Sequence, residues 1–111
     1  MKSDLGDKQG AIADFNEAIR LNPNHAEAYN NRGNAKSDLG DKQGVIADCS
    51  EAIRLNPNYA DAYYSRGIAK YVLGDKYGAI TDFRESAQLY QQQGKTADYE
   101  DAQNLIRKLG G

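Results

Sequence analysis

The chain is 111 residues long, with a formal net charge of -2, one Cys, no Trp and two Pro, which is one domain's worth of sequence. Its 14 basic and 16 acidic residues nearly cancel, which argues against a general nucleic-acid binder, and no apolar run approaches the length of a membrane span. Leu, Ile, Val and Phe number only 19, so the 40% apolar content rests on Ala and eight Tyr, a mixture suited to slim, closely packed helices rather than a thick core.

Residues Met1 to Leu5 read as the last turn of a helix. Helix 7–21 follows, with Ala11, Ile12, Phe15, Ala18 and Ile19 at intervals of three and four. Asn22-Pro23-Asn24 then breaks the chain: Pro23 cannot continue the preceding helix, and Asn24 is placed to cap the next. That next helix, 24–39, carries a stripe of smaller residues at Ala28, Tyr29, Gly33, Ala35 and Leu39. Leu39-Gly40-Asp41 predicts a turn in which Gly40 takes a left-handed conformation and Asp41 caps helix 41–55. The apolar face there is Val45, Ile46, Cys49, Ala52 and Ile53. A third pair is predicted at 58–73 and 75–92, with Gly94 ending the long helix. The final helix, 96–109, sets Ala97, Ala102, Leu105, Ile106 and Leu109 on one face and Asp98, Glu100, Asp101, Arg107 and Lys108 on the other. It is apolar inward and polar outward, as the cap of a stacked array must be. No stretch alternates with period two over strand length, so the fold class is all-α.

These elements repeat. Leu-Gly-Asp-Lys starts at Leu5, Leu39 and Leu73, a period of 34, and residues 5–38 match 39–72 at 24 of 34 positions. The third copy departs after Leu89. A single domain, 1–111, is expected, built from a partial repeat at 1–23, repeats at 24–57 and 58–91, and a capping helix at 95–109. Lys2-Ser3-Asp4-Leu5 matches Lys36-Ser37-Asp38-Leu39, which predicts that the chain opens inside a repeat, as a trimmed array would.

The residues Ala28-Tyr29, Arg32-Gly33, Ala35, Leu39-Gly40-Asp41, Val45-Ile46, Ala52-Ile53 and Leu55-Asn56-Pro57 resemble the tetratricopeptide repeat (TPR), and the pattern returns at Tyr63, Gly67, Ala69, Leu73-Gly74-Asp75, Ala79-Ile80 and Phe83. The resemblance covers about residues 1–90. It implies antiparallel helix pairs stacked into a solenoid, closed by a capping helix, with the first helix of each pair lining a concave face. Departures are Arg32 and Arg66, where many such repeats carry Leu, and Gly44 and Gly78 inside the second helices.

Little in the sequence points to catalysis. His25, the sole histidine, aligns with Tyr59, and Cys49 aligns with Phe15 and Phe83, so both read as packing residues. No Cys/His cluster exists for zinc, and the Leu-Gly-Asp-Lys motif lacks the phosphate-loop pattern, so no enzyme activity, metal or cofactor is expected. Arg32 and Arg66 recur at the same period as Asp14, Asp48 and Asp82, which predicts structural ion pairs.

The ten positions that differ between the two aligned units are informative. Six of them pair 27, 30, 31, 34, 37 and 38 with their partners one period on. By the resemblance these line the groove: Glu27, Asn30, Asn31, Asn34, Ser37 and Asp38 in one unit, and Asp61, Tyr64, Ser65, Ile68, Tyr71 and Val72 in the next. One half is amide-rich and the other tyrosine-rich, suited to a peptide backbone and to apolar side chains respectively. Chaperone-binding members of the family hold a terminal carboxylate with Lys and Arg. Asn30 and Asn34 partly fit that pattern, but the Lys/Arg positions read Asn30, Asp61 and Ser65, so no such clamp is expected. The expected function is a non-catalytic scaffold that binds a protein or peptide, with neither nucleic acid nor membrane as partner. The alternative is a self-associating module, a homodimer formed through Leu5, Ile12, Phe15 and Ile19 on an uncovered flank of the first full helix. With one Cys and no predicted disulfide, the cytoplasm is the default compartment.

Overall fold

The computed structural model describes residues 4–110, with side chains from residue 7 onward. Six helices follow one another: α1 Asp4–Leu21, α2 Ala26–Asp38, α3 Lys42–Leu55, α4 Ala60–Val72, α5 Lys76–Gln92 and α6 Thr96–Lys108. Each packs against the next in the chain, and α2 also touches α4, which gives a short rod of 39 × 26 × 24 Å. This is an all-α solenoid of antiparallel helix pairs with a terminal capping helix.

The turns repeat because their chemistry repeats. Gly40, Gly74 and Gly94 take φ of +82°, +91° and +72°, where a side chain would be strained. At the same turns Asp41, Asp75 and Lys95 donate their N–H to Lys36, Lys70 and Tyr90 carbonyls at 2.9, 2.8 and 2.9 Å, which satisfies otherwise orphaned helix ends. Asp41 and Asp75 cap the following helices by accepting the N–H of Gly44 and Gly78, both at 2.9 Å. Those two glycines stand close under the cap: a Cβ on Gly44 would lie 2.3 Å from the Asp41 carboxylate.

Two expectations about the turns are corrected. Asn24 does not cap α2. His25 holds the N-cap position without a side-chain bond, and Asn22 Oδ1 instead accepts the N–H of Asn24 at 3.2 Å, closing an Asx turn that recurs at Asn56 and Asn58. Nor does the chain turn at Leu5-Gly6-Asp7, because α1 runs unbroken from Asp4 through this third copy of the motif. Met1 to Ser3 and the Leu5 side chain lie outside the described residues.

Three small clusters make the core. Val45, Cys49, Ala52, Ala62 and Ala69 join α3 to α4. Ala79, Ile80, Phe83 and Ala87 of α5 receive Ala102 and Ile106 of α6, together with Leu109. Ala60, Leu89 and Tyr90 lock α4 to the end of α5. Ala dominates because the helices approach closely, most of all at Gly67, where a Cβ would lie 2.8 Å from the Phe83 ring. Ser86 stands where the other units have Ala18 and Ala52, and its buried hydroxyl is satisfied by the Phe83 carbonyl at 2.9 Å.

The predicted ion pairs form between the two helices of a pair, Arg32 of α2 with Asp48 of α3 and Arg66 of α4 with Asp82 of α5. Arg32 grips Asp48 through Nε and Nη2 at 2.9 and 2.6 Å, and Arg66 grips Asp82 the same way at 2.9 and 2.8 Å. Lys36 and Lys70 add a second cation to each carboxylate, both at 3.1 Å. Each guanidinium also lies over a tyrosine ring, Arg32 over Tyr29 and Arg66 over Tyr63. Asp14, the equivalent one period upstream, is exposed.

Candidate functional site

The concave face is assembled by the i, i+3, i+7, i+10 stripes of alternate helices. On α2 the stripe is Glu27, Asn30, Asn34 and Ser37, and on α4 it is Asp61, Tyr64, Ile68 and Tyr71. Glu27, Asn30, Asn31 and Asn34 meet Tyr59, Asp61, Tyr64, Ser65 and Tyr90 around a polar cavity of about 410 Å³. Ser65 Oγ donates to Asn34 Oδ1 at 3.1 Å, tying α2 to α4 across it, and Tyr90 donates its hydroxyl to Asp61. Asn30 is 4% exposed, so only an edge of its amide is presented.

Beyond Tyr64 the groove turns apolar. Tyr64, Ile68, Tyr71, Phe83, Leu105, Lys108 and Leu109 surround a second cavity of about 370 Å³. Tyr64 borders both cavities and is held by its neighbours, its ring 5.6 Å from Phe83 and 6.4 Å from Tyr90. Ile68 and Tyr71 are exposed, Tyr71 by 55%.

The groove carries negative charge near its polar cavity. Burial pushes the Tyr64 phenol up, and Asp101 and Asp98 of α6 push it further. Burial likewise raises Tyr90, helped by its bond to Asp61, and raises Tyr59, helped by Glu27. Among the described residues no Lys or Arg lines the polar cavity.

The expected groove residues therefore separate into three groups. Glu27, Asn30, Asn31, Asn34, Asp61, Tyr64 and Ser65 share the polar cavity, and Tyr64, Ile68 and Tyr71 share the apolar one. Ser37, Asp38 and Val72 line neither: Lys42 donates to Ser37 Oγ at 2.9 Å, Lys8 pairs with Asp38 at 3.5 Å, and Val72 is exposed. Residues that sequence reasoning passed over are Tyr59 and Tyr90 in the first cavity, and Phe83, Leu105, Lys108 and Leu109 in the second. Tyr59 replaces His25 one period on, so it belonged to the set of varied positions. Leu105 and Lys108 repeat the spacing of Ile68 and Tyr71. Tyr90 had no such signal, since it reaches the cavity from the end of a second helix.

The side chains expected to be inert are placed accordingly. Cys49 is fully buried, and burial pushes its thiol up to about 12, with the Asp48 carboxylate adding to the effect. Among the described residues no three His, Cys, Asp or Glu side chains are arranged to hold a metal ion, and no helix is long and apolar enough to cross a membrane. Ile12, Phe15 and Ile19 of α1 are half-buried.

Comparison with known proteins agrees with this geometry. A TPR repeat model matches residues 3–40 and a tetratricopeptide repeat model matches 26–59. No curated protein matches the chain. Among solved structures, the TPR domain of Arabidopsis OM64 is 29% identical with a TM-score of 0.84, over 94% of this chain and 81% of that one. The first TPR of Spaghetti (RPAP3), bound to the HSP90 peptide SRMEEVD, is 26% identical with a TM-score of 0.85, over 95% and 79%. PcrH, in complex with the chaperone-binding region of PopD, shares the fold at a TM-score of 0.90 and 19% identity, over 95% and 80%.

Proposed function

Since the chain belongs to the tetratricopeptide repeat family, we propose that it is a non-catalytic interaction module that holds a peptide, or an extended segment of a partner protein, in its concave groove. One observation carries the reading. Glu27, Asn30, Asn31 and Asn34 and their partners Asp61, Tyr64, Ser65 and Ile68, which vary between otherwise near-identical units, border two adjoining cavities, whereas the unvaried pairs Ala28/Ala62 and Ala35/Ala69 are buried. Asn31, Asn34 and Ser65 offer both donors and acceptors to a peptide backbone, while Ile68 and Tyr71 offer apolar surface. The solved relative that holds SRMEEVD has a ligand ending in acidic residues. The polar cavity here presents Glu27 and Asp61, so a peptide of that charge is disfavoured.

Selection of displayed random peptides on the full chain tests the proposal. Tyr71→Ser is the variant of choice, because Tyr71 is exposed whereas Tyr64 also packs on Phe83. Tyr71→Ser is expected to weaken captured peptides at least about tenfold, as for a buried aromatic anchor, with the helical content and molar mass unchanged. Capture indifferent to Tyr71 and to Ile68→Ser would contradict it.

A second reading, self-association through α1, rests on Ile12, Phe15 and Ile19, which α2 covers only in part. Light scattering after size exclusion at several concentrations separates the two. Self-association predicts a dimer that Phe15→Asp reduces to a 12.2 kDa monomer, with peptide capture intact.

A further inference from the structure

The groove is polarised along its length, and the polarity specifies a ligand. Glu27, Asp61 and Asp98 stand in the first turns of α2, α4 and α6. Asp101 follows Asp98 by three residues, on the stripe that continues to Leu105 and Lys108 at the apolar cavity. Among the described residues none of these four carboxylates forms an ion pair, although Asp38 has one and Asp48 and Asp82 have two each.

A structural role explains only part of this. An acid in the first turn offsets the helix dipole, and these three helices lack side-chain caps. The dipole is indifferent to which face the acid occupies. It does not require Glu27 and Asp61 to border one cavity together with Asn31 and Asn34, nor Asp101 to sit in the following turn. Among the described residues lining the two cavities, Lys108 is the one cation, and it stands at the opposite, apolar end.

We propose that the groove selects a peptide carrying a basic side chain, set between Glu27 and Asp61 on the polar side of Tyr64, and a bulky apolar side chain, set against Ile68, Tyr71 and Leu105 on the other. The argument is charge complementarity. A guanidinium or ammonium supplies only donors, and the two carboxylates with the exposed Asn31 and Asn34 amides supply acceptors at that end. This rests on the groove being the binding face, and the test keeps the two claims apart.

Random peptides displayed on phage are selected on the full chain at low salt, and recovered sequences are resynthesised with a fluorescent label for anisotropy titration. Enrichment of Arg or Lys together with a Leu, Ile, Phe or Tyr is the expected result. Glu27→Lys, at an exposed side chain with no hydrogen bond among the described residues, should weaken these peptides at least about tenfold, the worth of one charge-assisted bond. Asp61→Asn, which keeps an acceptor for Tyr90, should weaken them in the same direction, and raising salt should do likewise. Peptides that lose affinity on Tyr71→Ser but carry no basic residue, or ignore Glu27→Lys, would overturn the charge inference and leave the groove standing. Peptides indifferent to all three variants, or no peptide above background, would overturn both.

Discussion

Gly33 and Gly67 occupy the same place in successive units, yet they face different neighbours. A Cβ on Gly67 would meet the buried Phe83 ring at 2.8 Å, whereas one on Gly33 would meet Asp48 Cβ at 3.3 Å and Cys49 Sγ at 3.4 Å. Gly67→Ala should therefore destabilise by about 1–3 kcal/mol through overpacking. Gly33→Ala should change stability by less than about 1 kcal/mol, since gained helix propensity offsets a tight fit. Urea melts of the two variants check the contrast. Cys49 is the cause of the difference, and its own environment has a second consequence. The thiol is held protonated in the fold, up to about 12 against an ordinary 9.0, so only the unfolded chain ionises it as pH rises past 9.0. Its contribution to stability is complete below pH 9.0 and is lost as pH climbs toward 12. At pH 8 a thiol reagent should label Cys49 only at the rate of unfolding, and rapid native labelling would contradict the burial.

At the scale of the helix pair, the ion clusters do most to fix how the elements sit. The Asp82 side chain is 3% exposed and is shared by Arg66 and Lys70, themselves 19% and 23% exposed. Asp82→Ala leaves both cations half-buried without a counter-charge and should cost about 3 kcal/mol. Asp14→Ala, at the exposed equivalent, should stay within about 0.5 kcal/mol. Thermal melts of the pair measure the difference. These clusters were legible in the sequence because Arg and Asp recur with one period, as were the turns at Gly40, Gly74 and Gly94. The unbroken start of α1 was not, since the same four-residue motif turns the chain only where a full helix precedes it. Asn24 misled for a related reason: its neighbour Asn22 uses its own side chain to close the turn, leaving His25 at the helix start.

For the whole molecule, stacking order decides both stability and the working surface. Ala102, Ile106 and Leu109 close the cluster of Ala79, Ile80, Phe83 and Ala87, so ending the chain at Gly94 removes the last layer. Burial of Ile106 and Leu109 alone is worth roughly 3–6 kcal/mol, enough to leave a shortened chain largely unfolded by circular dichroism at 25 °C. The groove was partly legible, because contrast between two copies of one unit isolates the positions that packing does not constrain. Tyr90 carries no periodic signal and emerges at the cavity only in three dimensions, while Leu105 and Lys108 repeat the spacing of Ile68 and Tyr71 on a helix that lies outside the 34-residue period. Ser37 and Asp38 vary like the others yet are occupied by Lys42 and Lys8 at the rim.

The most direct test of the groove as the binding face is a map of amide shifts in nitrogen-labelled protein titrated with one selected peptide. Shifts concentrated at Asn31, Asn34, Ser65, Ile68 and Leu105, with the outer faces of α3 and α5 unmoved, are the predicted result. Shifts confined to α1, or spread along α3 and α5, would contradict it.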